Sequence, residues 1–328
     1  MDTLVAAQMA LAACQDLLFA VLAGVLVCAA LLPRAAASGT QSGWDPLYAD
    51  LRRALDGRQL YAGLALVLAC GLYLWLQAAV MSGSPLMQAG AALLPVLTES
   101  HYGSAWIVGC FGAAWAVLAT LAMPISGRRG SRAAWLAVCV GAVIYAAGKA
   151  AASHAADDGD FTLREAVHVI HLCATAVWAG SVIAAVGVLR RLGATVDADA
   201  AHTASMAGIT FRTRLSHLAT AALAAVLVSG IYNATRDTAA ATVPLLSTPY
   251  GKILAVKLVV VAFAVMLGGW NRMSHLPQMR ARLGAPDWDP ARAQAVRCFD
   301  RLLAIEAVAM VAILIVAGVL GHTSPTSG

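Results

Sequence analysis

The sequence predicts an all-α, polytopic membrane protein of about eight transmembrane helices, open to division into two parallel four-helix repeats. Three observations predict it. Of 328 residues, 60% are hydrophobic and only 12% charged, whereas a soluble domain carries about a quarter charged residues. The apolar residues gather into runs long enough to cross a hydrocarbon core of about 30 Å at about 1.5 Å per residue. The basic residues are concentrated in alternate connections between those runs.

The runs lie at Leu4–Leu32, Leu60–Met81, Tyr102–Met123, Ala133–Ala152, Ala166–Leu189, Leu215–Tyr232, Ile253–Trp270 and Leu302–Leu320. The small-residue run Ala35-Ala36-Ala37 resembles a signal cleavage site. No Lys or Arg precedes the first run, however, and it is too long for a signal segment, so it is read as a retained helix. The long connections Pro33–Gln59 and Asn271–Arg297 mix Trp, Pro and charge, which predicts short surface helices at the headgroup level. The net charge of +5 does not indicate nucleic acid, because the basic residues sit between apolar runs rather than on a face of their own. Seven cysteines, Cys14, Cys28, Cys70, Cys110, Cys139, Cys173 and Cys298, fall almost entirely inside apolar segments without a C-x-x-C pair. That pattern reads as small buried hydrophobes, not a disulfide framework.

Orientation follows from the basic connections. Arg34, Arg52, Arg53 and Arg58 follow the first run, and Arg128, Arg129 and Arg132 the third. Arg190, Arg191, Arg212 and Arg214 follow the fifth, and Arg272, Arg280, Arg282, Arg292 and Arg297 the seventh. The intervening loops hold only Arg164, Arg236 and Lys252. The positive-inside rule then places both termini outside the cytoplasm, in the periplasm for a chain in a bacterial inner membrane. The acidic stretch Asp157-Asp158-Gly159-Asp160 falls on that outer side.

Four runs plus four suggest halves at residues 1–152 and 153–328 of a single membrane domain. Ser100-His101-Tyr102-Gly103 opens the third run as Thr248-Pro249-Tyr250-Gly251 opens the seventh. Ser153-His154-Ala155 closes the fourth as Gly321-His322-Thr323 closes the eighth, and Phe19–Gly24 reads like Thr175–Gly180. An even number of spans per half makes the repeats parallel, related by an axis along the membrane normal.

Of eight histidines, His202 and His275 fall in cytoplasmic loops and His217 near the cytoplasmic end of the sixth run. The other five, His101, His154, His168, His171 and His322, share the outer level. Arg190 to His171 is about 28 Å of helix, Arg132 to His154 about 33 Å and Arg301 to His322 about 32 Å. His168 and His171 are three apart on one helix and project from one face. Imidazole is the commonest protein ligand for copper and zinc, so five at one level form a candidate ligand set. The alternative is helix anchoring in the headgroups. Met81 and Met87 lie near this level, and thioether sulfur favours Cu(I). Asp16 falls in the first run near the level of His171, placed to orient an imidazole or meet the ion. Lys149 and Lys257 lie one to two turns below the outer surface, and Glu306 sits on the cytoplasmic side near Arg301. Intramembrane ionisable groups are candidates for function, with structural pairing as the rival.

The second half carries a family resemblance. His171-Leu172-Cys173-Ala174-Thr175-Ala176-Val177-Trp178-Ala179-Gly180 resembles the H-L-x-A-x-x-x-W-x-G helix of the copper resistance protein D (CopD/PcoD) family. Ser229-Gly230-Ile231-Tyr232-Asn233, Thr248-Pro249-Tyr250-Gly251-Lys252, Lys257, Gly269-Trp270-Asn271-Arg272 and Glu306 fit the same template. The first half matches more loosely, through Tyr102-Gly103 and Ser153-His154. The resemblance implies an inner-membrane copper protein that moves copper inward, often partnered by a periplasmic carrier of the CopC type. No CopC-like domain is fused here. Copper capture by His168, His171, His154 and His322, with His101 as a further ligand, is the expected function, with no catalytic residues. The alternative from another class is a membrane redox protein binding haem b between facing axial histidines and handling quinol or reducing copper. A non-transporting sensor or scaffold is the third class.

Overall fold

A computed structural model describes residues 2–33, 44–123, 128–156, 159–194, 198–239, 244–283 and 289–323. Ten α-helices follow one another: α1 Asp2–Leu31, α2 Trp44–Ser82, α3 Gly90–Glu99, α4 His101–Ala122, α5 Arg128–Ala151, α6 Leu163–Gly193, α7 Ala198–Asp237, α8 Pro249–Trp270, α9 Leu276–Ala281 and α10 Pro290–Leu320. Eight of them, all but α3 and α9, are long and apolar enough to cross a membrane. The chain is therefore an all-α, multi-pass membrane protein.

The spans outrun their apolar cores. α2 begins at Trp44 rather than Leu60, so the basic residues expected in a separate surface helix ride on its own first turns. Arg53 pairs with Asp50 and Arg52 with Asp56 at 3.8 Å, one turn apart on the helix. The Arg52 guanidinium also donates to the Ala29 carbonyl near the end of α1, at 3.0 Å. After α8 a single π-helical turn, Asn271–His275, leads directly into the short helix α9, so the helix expected in this connection is continuous with the span. Arg34 and the acidic pair Asp157-Asp158 lie outside the described residues.

Two close approaches set the helix positions. α1 crosses α6 at Gly24 and Gly180, where a Cβ on Gly180 would lie 1.7 Å from the Ala20 carbonyl oxygen. Only glycine lets backbones meet at that distance. α4 and α5 pack through Gly109, Gly112, Gly141 and Gly148, and a Cβ on Gly148 would lie 2.2 Å from the Gly109 nitrogen. Further contacts pair α1 with α2 and α10, α2 with α4, α6 with α5, α7 and α10, and α8 with α10, whereas α7 and α8 scarcely touch along their length.

The motifs matched between halves take the same local form. Ser100 Oγ accepts from Gly103 N at 2.9 Å to cap α4, and Thr248 Oγ1 accepts from Gly251 N at 3.0 Å to cap α8. Both glycines press on the carbonyl of the preceding segment, Val96 in one case and Leu245 in the other. α3 and the 3₁₀ turn Leu245–Ser247 supply those carbonyls.

Candidate functional site

Between α1, α6, α7, α8 and α10 lies a cavity of about 550 Å³, at the end of the bundle that carries the clustered histidines. His154, His168, His171 and His322 line it, as do Asp16, Lys149 and Lys257.

His168 and His171 enter from α6, their rings roughly parallel with centroids 6.4 Å apart. α7 supplies a partner to each. His171 Nδ1 is 3.0 Å from Ser229 Oγ, and the single Ser229 hydroxyl proton goes to the Ala225 carbonyl. Ser229 must therefore accept from His171 Nδ1–H, which leaves the Nε2 lone pair of His171 unspent. That is how a second group prepares an imidazole for a metal. Gly230 keeps the space clear, since a Cβ there would lie 3.0 Å from His171 Cε1. The Asn233 amide nitrogen lies 3.1 Å from His168 Nδ1. Donation from Asn233 puts the ring proton on Nε2, and turning the amide over reverses this and frees Nε2 for a metal.

His322 is more committed. Its Nδ1 donates to the Gly318 carbonyl at 2.8 Å, so Nε2 accepts from the Tyr73 hydroxyl, also at 2.8 Å. Any ligand reaching His322 Nε2 would first have to displace Tyr73. The haem b alternative needs two facing imidazoles with free nitrogens, and His322 has none to offer in this arrangement. His154 sits on the short turn His154–Ala156 and is exposed at the cavity mouth.

The other candidates divide. Asp16 is ion-paired with Lys149, so its carboxylate is held by an ammonium rather than by an imidazole. Lys257 faces the same space with no hydrogen bond or ion pair among the described residues. Arg164 and Asp237 pair at 2.9 Å, and Tyr250 donates to Asp237 at 3.3 Å, tying α6, α7 and α8 together at the rim. His101 lies outside the cavity, in an exposed pair with Asp160 at 2.6 Å. Met81 and Met87 are exposed and do not line it. Glu306 is 5% exposed and packs against Gly268, away from the cavity. His217 lies 3.5 Å from Arg272.

No three His, Cys, Asp or Glu side chains stand close enough to hold a metal ion among the described residues. The five histidines expected as one ligand set are therefore not assembled as a cage: four share a cavity, and one pair is adjacent. Sequence reasoning missed the residues that tune this pair, Ser229 and Asn233 as hydrogen-bond partners and Tyr73 opposite His322. Ser229 and Asn233 lie in the quoted family motif, which was the available signal.

A family model described as "Copper resistance protein D-like, N-terminal domain" matches residues 1–164, and one described as "Copper resistance protein D" matches residues 209–320. The segment between them holds His168 and His171. No curated protein and no solved structure matches the chain.

Proposed function

Because the chain belongs to the copper resistance protein D family, we propose that it captures copper from the non-cytoplasmic side in the cavity between its two halves and passes it inward. The chain is a copper resistance-related membrane protein; uptake, the histidine site and the orientation are our reading. The observation that carries it is the His168–His171 pair, presented by one helix into a sheltered cavity with the Nε2 of His171 unspent. His154 stands at the mouth as an entry ligand, and His322 joins once Tyr73 lets go. Asp16 acts through Lys149, holding that ammonium away from the ion.

In this reading the basic connections face the cytoplasm, both termini are periplasmic, and a carrier of the CopC type delivers copper to the rim. The two halves act as parallel repeats about the α1–α6 crossing, a reading supported by the matching caps at Ser100 and Thr248. Metal must displace protons from imidazole, so capture weakens as the pH falls.

Copper titration of the purified protein in detergent tests the site. Replacing His168 or His171 with Ala lowers affinity at least about tenfold, or about 1.4 kcal/mol. His217→Ala leaves it unchanged. Full binding by both α6 variants with loss in His217→Ala overturns the proposal. Orientation is read separately: in a background without reactive native cysteines, a cysteine introduced at Ser84 reacts with an impermeant reagent on intact cells and one at Ser42 does not. The reverse pattern overturns the capture side.

A further inference from the structure

Beneath the histidine cavity is a second, smaller void of about 10 Å³, the space of a single bound atom. Cys70 of α2 and Cys110 of α4 line it, together with Trp106, Tyr145 and Lys149. The two cysteines reach this one void from different helices. Two other wall residues have unused polar atoms. Trp106 and Tyr145 are 8% and 3% exposed, and among the described residues neither the indole Nε1 nor the phenol oxygen has a hydrogen-bond partner. A buried donor without an acceptor is rare enough to need an explanation. Both residues line the void that the two cysteines also line.

Trp106 and Lys149 line both this void and the histidine cavity, so they form the partition between them. Tyr73 and Tyr102 stack on the Trp106 ring, with centroids 5.1 and 5.7 Å away, and hold the partition in place. Cys110 is nine residues into α4, about 14 Å from its start, which is near the middle of a hydrocarbon core of about 30 Å.

We propose that Cys70 and Cys110 form a buried monovalent-copper site at the centre of the membrane, fed from the histidine cavity past Trp106 and Lys149. Thiolate sulfur selects Cu(I) over harder ions. Cu⁺ forms two Cu–S bonds and displaces both thiol protons, giving a Cu(SR)₂ unit of charge −1 and two protons released to the cavity. The copper stays monovalent throughout. The Lys149 ammonium at the partition offsets the charge. The Lys149–Asp16 pair thus stands between the two sites. The inference deepens the copper reading, since it supplies a soft station below the imidazoles.

The test loads the full chain in detergent, anaerobically and reduced, with Cu(I) from a bicinchoninate complex, and follows copper per chain and copper K-edge X-ray absorption. Wild type shows Cu–S scattering. The Cys70→Ser/Cys110→Ser double variant loses about one copper equivalent and the Cu–S signal, while His168→Ala/His171→Ala keeps that signal. Cys298→Ser serves as the control and retains both. Each single variant, Cys70→Ala and Cys110→Ala, binds at least tenfold more weakly and guards against a folding defect peculiar to the double change. Copper bound only through nitrogen in wild type overturns the thiol site and leaves the histidine reading standing. No copper bound by wild type in either form overturns both. A Cys70–Cys110 disulfide that yields no copper uptake after reduction also overturns the thiol site.

Discussion

In the repeat proposed above, the helix pair α4–α5 would correspond to the pair α8–α10, yet the two pairs are built differently. α4 and α5 meet through four glycines spread along the crossing, backbone against backbone. α8 meets α10 through one glycine, Gly268, which lies against the Glu306 carboxylate far from the histidine end. α8 also scarcely touches α7, whereas its counterpart α4 packs on α2. The α4–α5 side is sealed apart from the small void at Cys70 and Cys110, and the α8 side opens on the space that Lys257, His168 and His171 face. Glycines three positions apart on α4 and seven apart on α5 let those two helices close without volume.

The largest expected effect comes from breaking the sealed side. Gly148→Val drives a side chain into the Gly109 backbone and lowers stability by about 3 kcal/mol, because overpacking at a backbone contact cannot be relieved by a rotamer change. Gly269→Ala on α8, whose nearest neighbour would be 3.9 Å away, leaves stability nearly unchanged. Thermal unfolding in detergent compares the two, and equal losses would erase the distinction. A smaller effect sharpens the open side. Ser229→Ala removes the acceptor that orders His171 and lowers copper affinity about tenfold, while leaving the fold intact. Lys257→Met removes an unpaired ammonium from the cavity and tightens copper binding by up to about tenfold, by lifting a like-charge repulsion. Weaker binding in that variant would mean that Lys257 holds an anionic co-ligand. The smallest effect is at His101, where replacing an exposed pairing partner of Asp160 costs about 0–1 kcal/mol of stability and alters copper affinity less than about twofold. The same titration measures all three.

Much of this architecture was legible in the sequence because hydrocarbon imposes a strong, local constraint. Eight apolar runs and the basic connections between them follow from the cost of burying charge in lipid. The i,i+3 spacing of His168 and His171 was equally readable, since helical geometry alone puts them on one face. The extent of α2 was not, because Arg52, Asp50, Asp56 and Arg53 stabilise helical turns outside the apolar core, where hydropathy has nothing to report. His101 shared the level of the other histidines but not their direction, which only the packing of α4 fixes. Cys70 and Cys110 are forty residues apart and sit in unremarkable apolar runs, so their sharing one void depends on the α2–α4 contact. Tyr73 and His322 likewise meet across most of the chain.

The central claim is that copper binds in the cavity between the two halves, at the α6 pair. Anomalous diffraction at the copper edge from crystals of the copper-loaded protein tests it most directly. The account predicts a copper peak within bonding distance of His171 Nε2 and beside His168, with the Ser229 hydrogen bond intact. Copper at the exposed His101–Asp160 pair or beside His217, with the cavity empty, would contradict it.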